Sequence, residues 1–221
     1  YFCDLPINKA VTTEVMRKSD AWTIENLVDS KELMSRAGHS IVEAMTENNL
    51  LNSPVAIVCG KGNNAGDGFV VASILKDMGY ELDVFLLYPD CFSADGKHFF
   101  EECIDKNVGF FFFDESHKFE DYNTIVDCIF GTGFRGEPTD IALAAINNIN
   151  EAGANGAKVI CADINSGING DTGEAELSVT YVKSDLTVSI GSYKVGHFKG
   201  DSLTATKSII NKDIGIVIGE Y

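Results

Sequence analysis

The residues best placed to do chemistry lie in four short polar segments, each directly after an apolar run. The first is GKGNNAGDG, residues 60–68, which offers Asn63, Asn64 and Asp67. The second is Asp127 with the GTGFRGEP run of 131–138. The third is Asp163 with INSG, 164–167, and the fourth is GSYKVGH, 191–197, carrying Lys194. Asparagine supplies an acceptor and two donors; ionised aspartate supplies acceptors only. A glycine turn between strand and helix gathers backbone N–H groups and the positive end of a helix dipole, which suits a phosphate. Gly60, Gly62 and Ala65 fit the loose G-x-G-x-x-G/A dinucleotide pattern. Asp67, however, repels a phosphate, and the loop lacks the lysine of a P-loop. The polar side chains therefore suit a cation, a ribose hydroxyl, or both.

These segments need elements to hold them. Helical spacing predicts helices over 12–26 and 30–48, the second with an apolar stripe of Leu33, Met34, Ala37, Ile41, Ala44 and Met45. Strands are expected at 54–59, 82–87, 109–113, 124–130, 158–164 and 186–190, with a final pair at 206–210 and 214–218. Helices are expected at 66–78, 93–104 and 138–149, the last with Pro138 in its first turn. The GFFFF run of 109–113 is apolar enough to predict a buried strand. Strands alternating with helices predict a three-layer α/β/α, Rossmann-like fold with a mainly parallel central sheet. A single domain over 1–221 is expected, its N-terminal helices (about 12–48) packed on the α/β core. In such a sheet ligands bind beyond the carboxyl ends of the strands. Singly, each polar segment has a plain structural explanation as a turn, a cap or a solvated lysine. Their recurrence at corresponding strand ends points to one shared site.

Composition narrows the function. The 221 residues carry a formal net charge of −16, from 33 acidic and 17 basic side chains. This excludes nonspecific nucleic-acid binding and docking on an anionic membrane, both of which need clustered Lys and Arg. No apolar run approaches the roughly 20 residues of a membrane span, and the N-terminus has no signal-peptide pattern. None of the six cysteines forms C-x-x-C. Cys59, Cys128 and Cys161 sit in strand-like runs, as small buried hydrophobes of a reducing, cytoplasmic compartment do. The histidines His39, His98, His117 and His197 are scattered and suggest no metal or nucleophile site.

The four segments, in this order, resemble the YjeF N-terminal family, whose best-known members are NAD(P)H-hydrate epimerases. The resemblance rests on residues 60–68, 126–133, 163–167 and 194–197, with the 33–38 stretch similar to the family's N-terminal helix. It covers nearly the whole chain. Two positions depart from the pattern. Asn165 stands where proline is usual, an exchange expected to loosen that turn. Ser35 stands where an acidic residue is common, which bears on whether its helix serves the pocket.

The resemblance implies a substrate of hydrated NADH or NADPH, NAD(P)HX, whose two C6 epimers are interconverted so that a stereospecific dehydratase can repair both. It implies substrate contacts at Asn63, Asn64, Ala65, Gly66, Asp67, Gly131, Thr132, Gly133, Phe134, Arg135, Gly136, Glu137 and Asp163. It also implies a potassium ion held by Asn64, Asp127 and Ser166, and oxygen donors of this kind do suit a hard cation. Epimerisation needs a proton-transfer group, which is assigned to Asp163; Lys194 either assists it or binds phosphate. Arg135 and Lys61 are further phosphate candidates, and preference between NADH and NADPH hydrates stays open. A homodimer through the N-terminal helices is implied, as is functional partnership with an NAD(P)H-hydrate dehydratase, fused in many relatives. Two other readings are a noncatalytic scaffold module, which predicts eroded loops, and an ordinary Rossmann redox enzyme, in which Asp90 would grip the ribose.

Overall fold

The computed structural model describes residues 10–89, 91–136, 138–175 and 180–219. Seven parallel strands form one sheet in the order β3-β2-β1-β4-β5-β6-β7. They are β1 (Val55–Cys59), β2 (Leu82–Leu86), β3 (Gly109–Phe112), β4 (Thr124–Cys128), β5 (Lys158–Ala162), β6 (Leu186–Ile190) and β7 (Ile209–Lys212). The helices are α1 (Thr13–Asn26), α2 (Ser30–Glu47), α3 (Asn63–Asp77), α4 (Ala94–Asp105), α5 (Asp140–Ala154) and the single turn α6 (Ser202–Ala205). Successive strand side chains point to opposite faces, and β1 shows the consequence. Val55, Ile57 and Cys59 enter the core beneath α2, α3 and α4, while Ala56 and Val58 enter the core beneath α5. Strand order reverses between β1 and β4, so their carboxyl ends open a crevice at that switch point. No helix among the described residues is long and apolar enough to cross a membrane.

Several expectations need correction. The α3 helix starts at Asn63, three residues before its predicted beginning, because Gly62 caps it at φ +74°, a conformation L side chains rarely adopt. Asn63, Asn64 and Asp67 thus project from the first helical turns rather than from a loop. Pro138 precedes the N-cap Thr139 instead of lying in the first turn of α5, and that helix runs on to Ala154. β3 is not buried: as the end strand it has only β2 beside it, and Phe112 is 67% exposed. The expected final strand pair is reduced to β7. Residues 214–218 turn away at Gly215 and run along α1, where Val217 N–H donates to Thr23 Oγ1 at 3.0 Å. The turn at Asn165 is not loosened. Its buried amide donates to Val182 O, Ser184 Oγ and Ala205 O, and accepts from Thr187 Oγ1 at 2.6 Å, tying three segments together.

Candidate active site

A cleft of about 720 Å3 opens over the carboxyl ends of β1, β4, β5 and β6, walled on the far side by α1 and α2. Asn63, Asn64, Asp67, Gly131, Thr132, Gly133, Phe134, Arg135, Asp163 and Lys194 all line it. Asp127 and Ser166 lie just beneath. Ala65 and Gly66 are buried in α3 rather than lining the cleft, Gly136 does not line it, and Glu137 lies outside the described residues, as does Asp90. α2 contributes Leu33, Met34 and Ala37; Ser35 is not part of the lining.

Asp163 is the most constrained residue of the site. It adopts a left-handed φ of +67° directly after β5, a conformation that aspartate tolerates better than most residues. Its carboxylate pairs with the Lys194 ammonium and accepts the Thr132 N–H at 3.1 Å. Burial pushes the Asp163 carboxyl upward, but the Lys194 charge and hydrogen bond, with smaller help from the Thr132 N–H, outweigh it and hold the group below the usual carboxylate range. Lys194 is itself fully enclosed. Besides Asp163, its ammonium donates to Ile190 O at 2.8 Å and Ser189 Oγ at 3.3 Å. All three of its N–H donors are engaged, so it has none to offer a phosphate.

Two other carboxyls behave in the opposite way. Asp67, enclosed by protein but facing the cleft, is pushed well above the ordinary value by burial, then by the charges of Asp163 and Asp20. Asp20, on α1, is raised by burial and by Asp163. The cleft therefore holds one carboxyl held below the usual carboxylate range and two raised above it, Asp67 the more strongly. Asp20 was not foreseen from sequence, since an aspartate on an amphipathic helix reads as solvated. The signal was that the buried face of α1 is largely polar: Thr13, Ser19 and Thr23 beside Met16.

The linkage sign for Asp67 gives a first prediction. A raised folded-state pKa means its stabilising contribution is present below the unfolded value, roughly 3.9, and is lost as pH rises through the folded value. Above the unfolded value the unfolded chain releases this proton more readily than the folded one, so the carboxyl is a net cost. Asp67→Asn is expected to melt higher than the wild type, by roughly 2–4 °C for each kcal/mol released. Calorimetry should show that advantage shrinking toward pH 4; a variant that melts lower at every pH contradicts the assignment.

Beneath the cleft, Asp127 on β4 and Ser166 are joined by a 2.6 Å hydrogen bond. Asp127 also accepts from the Ser166 and Ile129 N–H groups and from the Cys161 thiol, all neutral donors. Burial raises its carboxyl, and these bonds only partly offset that. Asn64 is buried with neither amide atom hydrogen-bonded. A methyl group at Gly131 would lie 3.4 Å from both Asn64 Cβ and Asp163 Oδ2, so Asn64 and Asp163 converge on that residue. At the exposed lip, Arg17, Lys61 and Arg135 add three cations. Arg135 rests on Thr13 Oγ1 at 2.6 Å, with Asp171 at 3.7 Å.

Known proteins resemble this chain over most of its length. The family model described as YjeF-related protein N-terminus matches residues 30–196. The chain is 36% identical over 217 residues to an NAD(P)H-hydrate epimerase of Lentilactobacillus buchneri, covering 96% of this chain and 97% of that one. It is 31% identical over 208 residues to an NAD(P)H-hydrate epimerase of Weissella koreensis, covering 94% and 91%. It also matches a bifunctional NAD(P)H-hydrate repair enzyme Nnr of Thermofilum pendens at 34% identity over 177 residues, 77% of this chain but 33% of that protein. The crystal structure of yeast ynu0 shares the fold, with a TM-score of 0.75, 22% identity and 96% coverage of both chains.

Proposed function

Because this chain belongs to the YjeF-related N-terminal family, we propose that it is an NAD(P)H-hydrate epimerase, an isomerase that interconverts the R and S epimers at C6 of hydrated NADH or NADPH. One observation carries the reading. A single cleft brings an ion-paired carboxylate and two carboxyls that burial pushes upward to its inner surfaces, and three cations to its lip. A ligand with an anionic pyrophosphate and an uncharged, hydroxyl-bearing ring matches that polarity. The N-terminus of α3 adds its positive dipole end to the phosphate side.

The reacting carbon bears a hydroxyl and is bonded to the ring nitrogen. Nitrogen can expel the hydroxyl, once protonated, as water; a second water then adds to the opposite face and gives up a proton. Ring opening and reclosure is the other route. Both need a proton donor and a proton acceptor at the same centre. Asp163, kept ionised by Lys194, serves as acceptor; Asp67, whose carboxyl burial pushes well up, serves as donor. Lys194 acts through Asp163 rather than on phosphate.

Asn64, Asp127 and Ser166 would hold a potassium ion. The unpartnered Asn64 amide and the Asp127 carboxylate bonded only to neutral donors fit such a cation. Once bound, the ion supplies fixed positive charge beside an anionic dinucleotide. Asn64→Leu is expected to leave stability in potassium-free buffer unchanged or raised, because an unsatisfied buried amide is a desolvation cost that leucine removes. Potassium should raise the melting temperature of the wild type and not that of the variant. Equal shifts in both would remove Asn64 from the site.

We place the protein in the cytoplasm, acting with an NAD(P)H-hydrate dehydratase; in bifunctional relatives such as that of Thermofilum pendens the matching region is about a third of a longer chain. A homodimer through the N-terminal helices belongs to the same proposal. The test is a coupled one. A dehydratase specific for one epimer stalls when that epimer is consumed, and adding this protein should let the remainder disappear. If the remainder persists at the protein-free rate, the reading fails.

A further inference from the structure

His197 has no part in the chemistry described above, yet it makes two bonds to the acid–base pair. It lies in a 3-10 turn, Val195–Phe198, whose N-cap is Lys194. Its Nδ1 accepts the Lys194 backbone N–H at 3.1 Å, and its Nε2 lies 3.1 Å from the Asp163 carbonyl oxygen. An N–H can only donate, so Nδ1 carries no proton, and Nε2–H must be the group that donates to the Asp163 carbonyl. Both bonds are satisfied only by one neutral tautomer. Burial, and next the Lys194 charge, lower the imidazole pKa to about 3, which keeps that tautomer neutral.

From these contacts we infer that His197 is the positioning residue of the site: it ties the Asp163 carbonyl to the Lys194 amide and so fixes where the Asp163 carboxylate points. The backbone around Asp163 explains the need. Its N–H is spent on Val188 O at 2.8 Å. On that side the Asp163–Ile164 peptide is held by two bonds, the Ile164 N–H to Ala162 O at 2.8 Å and the His197 bond to the Asp163 carbonyl; losing the second leaves the left-handed residue less firmly fixed, and a small rotation shifts the carboxylate within the cleft. The turn is built for the purpose. Gly196 N–H donates to Gly170 O at 2.8 Å, and a Cβ at Gly196 would sit 2.5 Å from that oxygen, so the ring is pressed against Asp163 by a loop that admits no side chain there.

This inference rests on the epimerase reading, and its test separates the two. Wild-type turnover decides the reading; differences among His197 variants decide the inference. His197→Gln places an N–H donor near the position of Nε2 and should keep kcat close to wild type. His197→Asn can mimic only the Nδ1 acceptor, and with the carbonyl unbound kcat should fall roughly 100-fold, as small misplacements of a catalytic group do. KM should be little changed in both, because neither bond reaches the ligand. Equal kcat in the two folded variants, or a loss confined to KM, overturns the inference. Should His197→Asn not fold, nitrogen NMR of the wild-type ring decides instead. A neutral ring with its proton on Nε2 across pH 5–8 upholds the assignment, and a proton on Nδ1 or a charged ring refutes it.

Discussion

Asp163→Asn is expected to slow epimerisation by roughly 10²–10⁴-fold, the usual contribution of a positioned general acid or base, while affinity for the dinucleotide stays near that of the wild type. Asparagine tolerates the left-handed backbone at this position, and its amide oxygen can still accept the Thr132 N–H now made to Oδ2. The exchange therefore removes the charge and the proton-accepting ability with little change of shape. It also strips Lys194 of its counter-charge. The expected pattern is a lower melting temperature, preserved binding of NADH by calorimetry, and near-complete loss of turnover. Retention of near-full rate would show that another group moves the proton.

The largest effect on stability is expected for Lys194→Met. Lys194 and Asp163 form an enclosed ion pair, with side chains 1% and 14% exposed. Removing one member of a buried pair typically costs about 3–5 kcal/mol, because the other is left charged and unmatched. For a chain of this size that corresponds to a fall in melting temperature of roughly 6–20 °C. The pH dependence tests the cause. In the wild type Asp163 is held below its ordinary pKa, so its contribution is fully present above the unfolded value of roughly 3.9 and is lost as pH falls through the folded value. In the variant the cation is gone, burial dominates, and protonation becomes favourable. The deficit should therefore be widest near pH 7 and narrow toward pH 4. A deficit independent of pH would mean that packing, not charge, was lost.

The four strands that carry the site were legible because each is a short apolar run ending in a polar, glycine-rich segment. β1, β4, β5 and β6 are central and covered on both faces, so their sequences are largely apolar, with Thr124, Asp127, Thr187 and Ser189 as buried exceptions, and their ends mark the rim. The same rule misjudged β3, whose GFFF composition is that of a central strand though it stands at the end of the sheet. Composition does not encode a strand's number of neighbours. The burial of Lys194 was equally hidden, since lysine is ordinarily solvated and only the fold brings Asp163, Ser189 and Ile190 around its ammonium. Asn165 was misjudged for the complementary reason: its bonds run to residues 17 to 40 positions away, which no local pattern records. Asp20 and His197 belong to segments legible as a helix and a turn. Their roles come from where α1 and the Lys194 turn fold against the rim, a tertiary fact.

The most direct measurement is chiral chromatography of one purified C6 epimer of NADH hydrate incubated with this protein in potassium buffer. The account predicts that the opposite epimer accumulates to an equilibrium mixture far faster than in a protein-free control, and that Asp163→Asn returns the rate to nearly that of the control. A single epimer that persists at the control rate, although calorimetry shows it bound in the cleft, would contradict it.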